Sequence, residues 1–160
     1  GYVFITVPSG YDVSSDGLIP RTFVRLDGSE EDVADFELVR TDNERFTLFV
    51  MNDIHLTNTV STADIQRFRN DFVPDYAAML AKTPGKVYTT VLGDMTTDTR
   101  WYNNNFALPE YLEEMRAVPG AIPIWHVMGN HDNDIRCVGS SELWDALALE
   151  TYRRVIGPNY

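Results

Sequence analysis

Cysteine is nearly absent: the 160 residues hold one, Cys137. A single thiol excludes an intrachain disulfide and a zinc-thiolate centre, which needs several sulfurs. No base is paired with Cys137 by spacing, so it reads as a small loop residue rather than a nucleophile. Histidine is scarce as well, with His55, His126 and His131 the whole supply. Basic residues are few, 13 against 24 acidic, which leaves a net charge of −11. A surface that negative repels nucleic-acid backbones. Arg153-Arg154 is the one adjacent basic pair and makes no basic stripe. Nucleic acid is therefore not expected as a stable partner, whereas clustered acids suit divalent cations. No apolar run approaches the ~18 residues that a spanning helix needs, so no membrane span is expected. The opening "GYVFITVPSG" has neither a basic region nor a cleavage site and is not read as a signal peptide.

What remains is ordinary for a globular chain: 44% apolar and 23% charged residues, enough for one domain with a real core. There is no internal repeat. Residues 1–40 read as β structure, with "YVFITV", "RTFVRL" and "DFELVR" as strands and "PSGYDVSSDGLIP" as turn chemistry. From Phe46 onward strands and helices alternate. "FTLFVM", "VYTTVL" and "IPIWHVM" are continuous apolar runs, the pattern of parallel strands covered on both faces. Between them run three apolar stripes at helical spacing. The first comprises Ile65, Phe68, Phe72, Tyr76, Met79 and Leu80, with Ser61 and Thr62 as caps and Pro74 as a break or kink. Leu108, Leu112, Met115 and Val118 form the second, with Pro109 in its first turn. Leu143, Trp144, Leu147 and Val155 form the third, stopped by Gly157-Pro158. The alternation predicts an α/β fold with right-handed crossovers, preceded by a β-rich segment.

Each apolar run ends in polar residues: Asp53-Ile54-His55, Gly93-Asp94 and Gly129-Asn130-His131-Asp132. Ligands of parallel sheets sit beyond the carboxyl ends of the strands, so all three clusters face one edge. Asp-x-His arises by chance in roughly one chain of this length in five to ten and decides nothing alone. A strand-end turn or a helix cap explains it, and Gly-Asp, equally well. Gly-Asn-His-Asp arises in only about one chain in a couple of thousand, and it carries the weight. Asp94 follows Asp53 by 41 positions, and His131 follows Asp94 by 37. Each gap holds one crossover of ~30 residues or more. Carboxylates, imidazole and a neutral amide suit borderline and hard divalent ions. A histidine beside them can move a proton, and Asp132 is the expected orienter of that imidazole.

"DIH", "GD" and "GNHD", each closing an apolar strand, resemble the calcineurin-like metallophosphoesterase superfamily over about residues 46–160. The resemblance implies a metallophosphoesterase-type sheet and hydrolysis of phosphate mono- or diesters by two divalent ions such as Mn, Fe or Zn. It implies that Asp53 and His55 bind one ion, Asp94 bridges both, and Asn130 binds the second. His131, with Asp132 beside it, is implied to act at the leaving group. The resemblance also implies a later histidine and a Gly-His-x-His motif, which these 160 residues lack. Residues 41–160 are thus expected to be the amino-terminal part of a catalytic domain with an incomplete sheet. Residues 1–40 resemble the tail of a small β domain found before the catalytic domain in some bacterial members. The chain alone is expected to be inactive and open to self-association along its unfinished sheet. A non-catalytic folded or interaction module is the competing reading. The compartment stays open, an extracytoplasmic bacterial setting included.

Overall fold

A computed structural model of the chain describes residues 1–29, 32–98, 101, 104–120, 123–133 and 141–158. Cys137 lies outside the described residues. Three apolar runs become one parallel sheet: β7 (Phe46–Met51), β8 (Lys86–Leu92) and β9 (Ile124–Val127), in the spatial order β7-β8-β9. Thr89 pairs with both Phe49 and Ile124, so β8 is the central strand.

The first forty residues form small antiparallel pairs. These are β1 (Tyr2–Phe4) with β5 (Phe23–Arg25), β2 (Tyr11–Val13) with β6 (Leu38–Arg40), and β3 (Ser15–Asp16) with β4 (Ile19–Pro20). β2, β3 and β4 fall inside the stretch expected to be turns. Tyr11 finds its partner at Arg40, far along the chain, and local composition does not carry that pairing. The segment is fastened to the amino edge of the sheet at two places. Tyr88 donates its hydroxyl to Asp12 (2.6 Å), Lys86 pairs with the same carboxylate, and Ile124 N–H donates to Leu18 (2.9 Å).

After β7 the chain makes one helical run in three registers: α1 (Asp64–Arg67), a π turn (Phe68–Phe72) and α2 (Val73–Lys82). Pro74 does not break it. The Val73 N–H reaches back five residues to the Phe68 carbonyl, and the wider turn absorbs the proline at the start of α2. Neither Ser61 nor Thr62 caps the run. Its cap position is Ala63, in left-handed backbone, and the Thr62 hydroxyl bonds Asp64 instead (2.5 Å). Phe68 and Tyr76 are buried as expected, but Met79 is 52% exposed. α3 (Leu108–Met115) matches its stripe, with Leu108, Tyr111, Met115 and the following Val118 buried. In α4 (Ser141–Val155) the buried line is Ala148, Tyr152 and then Ile156, while Leu143 is exposed. The stripe runs along a different face, because small Ala148 and amphipathic Tyr152 pack inward. No helix among the described residues is long and apolar enough to cross a membrane.

Among the described residues one face of the sheet is covered by helices, and the other is covered only in part, where the β2 segment meets Tyr88. Tyr76 of α2 packs edge-on to Phe49 (5.4 Å between centroids) and bonds the buried Thr89 hydroxyl (2.5 Å). On the opposite face Phe46, Leu48, Val50, Leu92 and Val127 are each 48–56% exposed. Strand register puts these side chains together, with Tyr88 and Trp125 among them. Two-sided burial, read from the unbroken apolar runs, is therefore corrected for these residues.

His126 points to the covered face, its ring edge-on to Tyr111 (5.8 Å) and both ring nitrogens buried. Burial lowers its pKa from 6.5 to about 4, a backbone contact at Ile124 opposing it weakly. The unfolded chain takes up that proton near pH 6.5 and the folded chain only near 4. The stability is complete above 6.5 and falls as pH drops through this window, by about 3 kcal/mol in all. His126→Phe, which keeps a ring against Tyr111, should remove this part of the acid sensitivity. Urea titrations at pH 7 and pH 4.5 check it: an equal acid loss in both proteins would place the sensitivity elsewhere.

Candidate metal centre

Glycine decides how close the strand ends can come. A Cβ on Gly93 would lie 2.8 Å from the Gly129 Cα, and one on Gly129 would lie 2.2 Å from the Asp94 nitrogen. Neither position admits a side chain, so the loops after β8 and β9 touch backbone to backbone. The loop after β7 is stitched to the same place. His55 N–H donates to the Asp94 carbonyl, and Leu56 N–H to that of Met95, both at 2.9 Å. His131 N–H donates to Asp94 Oδ1 (2.8 Å). Asp53, His55 and Asp94 all sit in left-handed backbone, with φ of 50°, 45° and 47°. That conformation turns each side chain off its strand's line.

The result is a convergence of three loops. Ligand atoms of His55, Asp94 and His131 lie within 4.8 Å of one another. His55 Nε2 is 3.8 Å from Asp94 Oδ2 and 3.9 Å from Asp53 Oδ1. Those separations are too long for hydrogen bonds. They are near the spacing of two ligands that each hold one ion at ~2.1 Å. The two imidazole rings stand 4.9 Å apart at 72°. Asp94 is the innermost member, its side chain 13% exposed, while Asp53 is at the rim with 61%. Asn130 is exposed on the loop that carries His131. The donor set fits a divalent cation: two imidazoles and a carboxylate converge. Four of the residues singled out by sequence thus gather at one sheet edge, and His131, expected to serve the leaving group, stands among the ligand atoms.

Asp132 does not orient His131. Its carboxylate is fully buried and accepts from Thr96 N–H (2.9 Å), the Thr96 hydroxyl (3.0 Å) and Gly129 N–H (2.9 Å). Trp101 Nε1–H closes the group by donating to the same hydroxyl (2.9 Å). Burial raises the Asp132 pKa, and N–H groups of Gly129, Thr96 and Met95 oppose the rise. Asp132 is a brace between the loops after β8 and β9. The carboxylate facing His131 is Asp98, whose Oδ2 lies 3.5 Å from Nδ1. Sequence reasoning missed Asp98. Its signal was a second aspartate four residues after Asp94, in "GDMTTD".

The sequence profile of the calcineurin-like phosphoesterase family matches residues 46–157, well over half of the chain and all of the parallel sheet. No curated protein and no solved structure matches it.

Proposed function

Because the chain belongs to the calcineurin-like phosphoesterase family, we propose that its site serves metal-dependent hydrolysis of phosphate mono- or diesters. The observation that carries this reading is the convergence of His55, Asp94 and His131 from three consecutive strand ends. Asp53, His55 and Asp94 would hold one divalent ion, and Asp94 with Asn130 a second, drawn from Mn, Fe or Zn. Such ions neutralise phosphate charge and lower the pKa of a bound water. The chain's own residues do the rest. Asp94, buried and central, would be the residue the two ions share. With Nδ1 of His131 turned to Asp98, Nε2 is the atom left to hand a proton to the departing oxygen.

His126 is committed to the core, so the chain offers two imidazoles, His55 and His131, to this site. On two imidazoles and their neighbouring carboxylates, we read the 160 residues as a weak single-ion binder. Phosphate release from p-nitrophenyl phosphate and bis(p-nitrophenyl) phosphate tests the reading. Release should stop with a chelator and return with Mn²⁺. Release that ignores the chelator, or none under any divalent ion, would favour the non-catalytic module.

A further inference from the structure

Five of the chain's 13 basic side chains border one cavity of about 660 Å³. Arg21 and Arg25 come from the β4–β5 stretch; Arg116, Arg153 and Arg154 come from the ends of α3 and α4. Two carboxylates, Asp16 and Asp35, share the lining. In a chain of net charge −11 this is a local reversal of sign. The cavity beside His55, about 680 Å³, is the opposite, with three aspartates against Arg67.

The arginines are not fully neutralised by the fold. Arg116 pairs with Glu113, and Arg21 stands 3.9 Å from Asp16. Arg25, Arg153 and Arg154 make no ion pair among the described residues. Cations at helix carboxyl ends are favourable in themselves, which accounts for Arg116, Arg153 and Arg154. It does not account for Arg21 and Arg25 on the other wall. Like charges on two walls of one hollow repel, and an anion between them removes that repulsion. The lining also offers aromatic surface: Tyr2 and Phe23, edge to face with centroids 6.1 Å apart, and Phe36.

The cavity lies away from the candidate metal centre. α3 leaves the carboxyl end of β8 and returns to the start of β9, so its last turn is at the amino edge of the sheet. Leu18 in the lining accepts the Ile124 N–H at that same edge. None of Asp53, His55, Asp94, Asn130 or His131 lines it.

We propose that this cavity is a second site, which binds a nucleoside di- or triphosphate. Several guanidiniums ask for a ligand with more charge than one phosphate monoester carries. Tyr2, Phe23 and Phe36 ask for a flat aromatic body, and the volume suits a ligand of that size. Binding here is independent of hydrolysis at the other edge.

Calorimetric titration of the 160-residue chain with ATP in excess EDTA tests the site with the metal centre out of play. ATP should bind with a Kd below about 1 mM and more weakly as salt rises. The double substitution Arg153→Gln/Arg154→Gln should weaken it at least about 10-fold, and Arg25→Gln, from the other wall, should weaken it too. All three arginines are exposed, so circular dichroism should be unchanged. Asp94→Asn should leave ATP affinity as it was. No binding at millimolar ATP overturns the proposal, as does binding lost in Asp94→Asn but kept in the arginine variants. Pyrophosphate binding as tightly as ATP overturns the assignment of a nucleoside.

Discussion

Asp94→Asn should lower the chain's affinity for Mn²⁺ or Zn²⁺ by about 100-fold or more, roughly 2.7 kcal/mol. The substitution removes one oxygen's charge from the innermost position of the cluster and changes little else. Asparagine tolerates left-handed backbone, so the φ of 47° is kept. Its carbonyl can still accept the His131 N–H that Asp94 Oδ1 accepts now. The fold should therefore survive, and melting in a chelator should match the parent chain. Calorimetric titration with each ion reads the effect. Unchanged affinity would remove Asp94 from the centre; two tight ions on the parent 160 residues would refute the weak single-ion reading.

His131→Ala should slow hydrolysis of alkyl phosphate esters by about 10²–10⁴-fold. Nitrophenyl esters should lose much less, since their leaving group departs with little help from a proton donor. Asp98→Asn should shift the two substrates the same way but less, because Asp98 acts through the imidazole across 3.5 Å. Comparing kcat for both ester types separates this role from metal ligation. Equal losses on the two would mean that His131 serves as a ligand, which its position near His55 and Asp94 also permits.

Much of this arrangement was legible because β7, β8 and β9 announce themselves as apolar runs with polar ends. Once the strands are parallel, Asp53, Asp94 and Asn130 must share an edge. What was not legible depends on where side chains turn. Asp132 follows His131 directly, and adjacency suggested a pair, yet neighbours in a tight loop diverge and its carboxylate goes inward to Thr96. Asp98 and His131 are far apart in sequence and meet only through the fold. Met79 and Leu143 fit a helical period but lie off the buried line, which small or polar-tipped residues partly supply. The apolar runs gave the strands and concealed which face is covered, because alternation within β7 puts Leu48 and Phe49 on opposite sides. Arg153-Arg154 was visible as a pair; Arg21, Arg25 and Arg116 join them only in three dimensions.

Asp53, His55 and Asp94 hold positive φ at positions where glycine would rest without strain, each at a cost of about 1–2 kcal/mol. Chemistry and durability are therefore opposed at those three places. A variant of this chain chosen for melting temperature alone would drift toward glycine there, keep its sheet, and gain stability as it lost its ligands. Its heat resistance would then measure how much of the candidate centre it had given up.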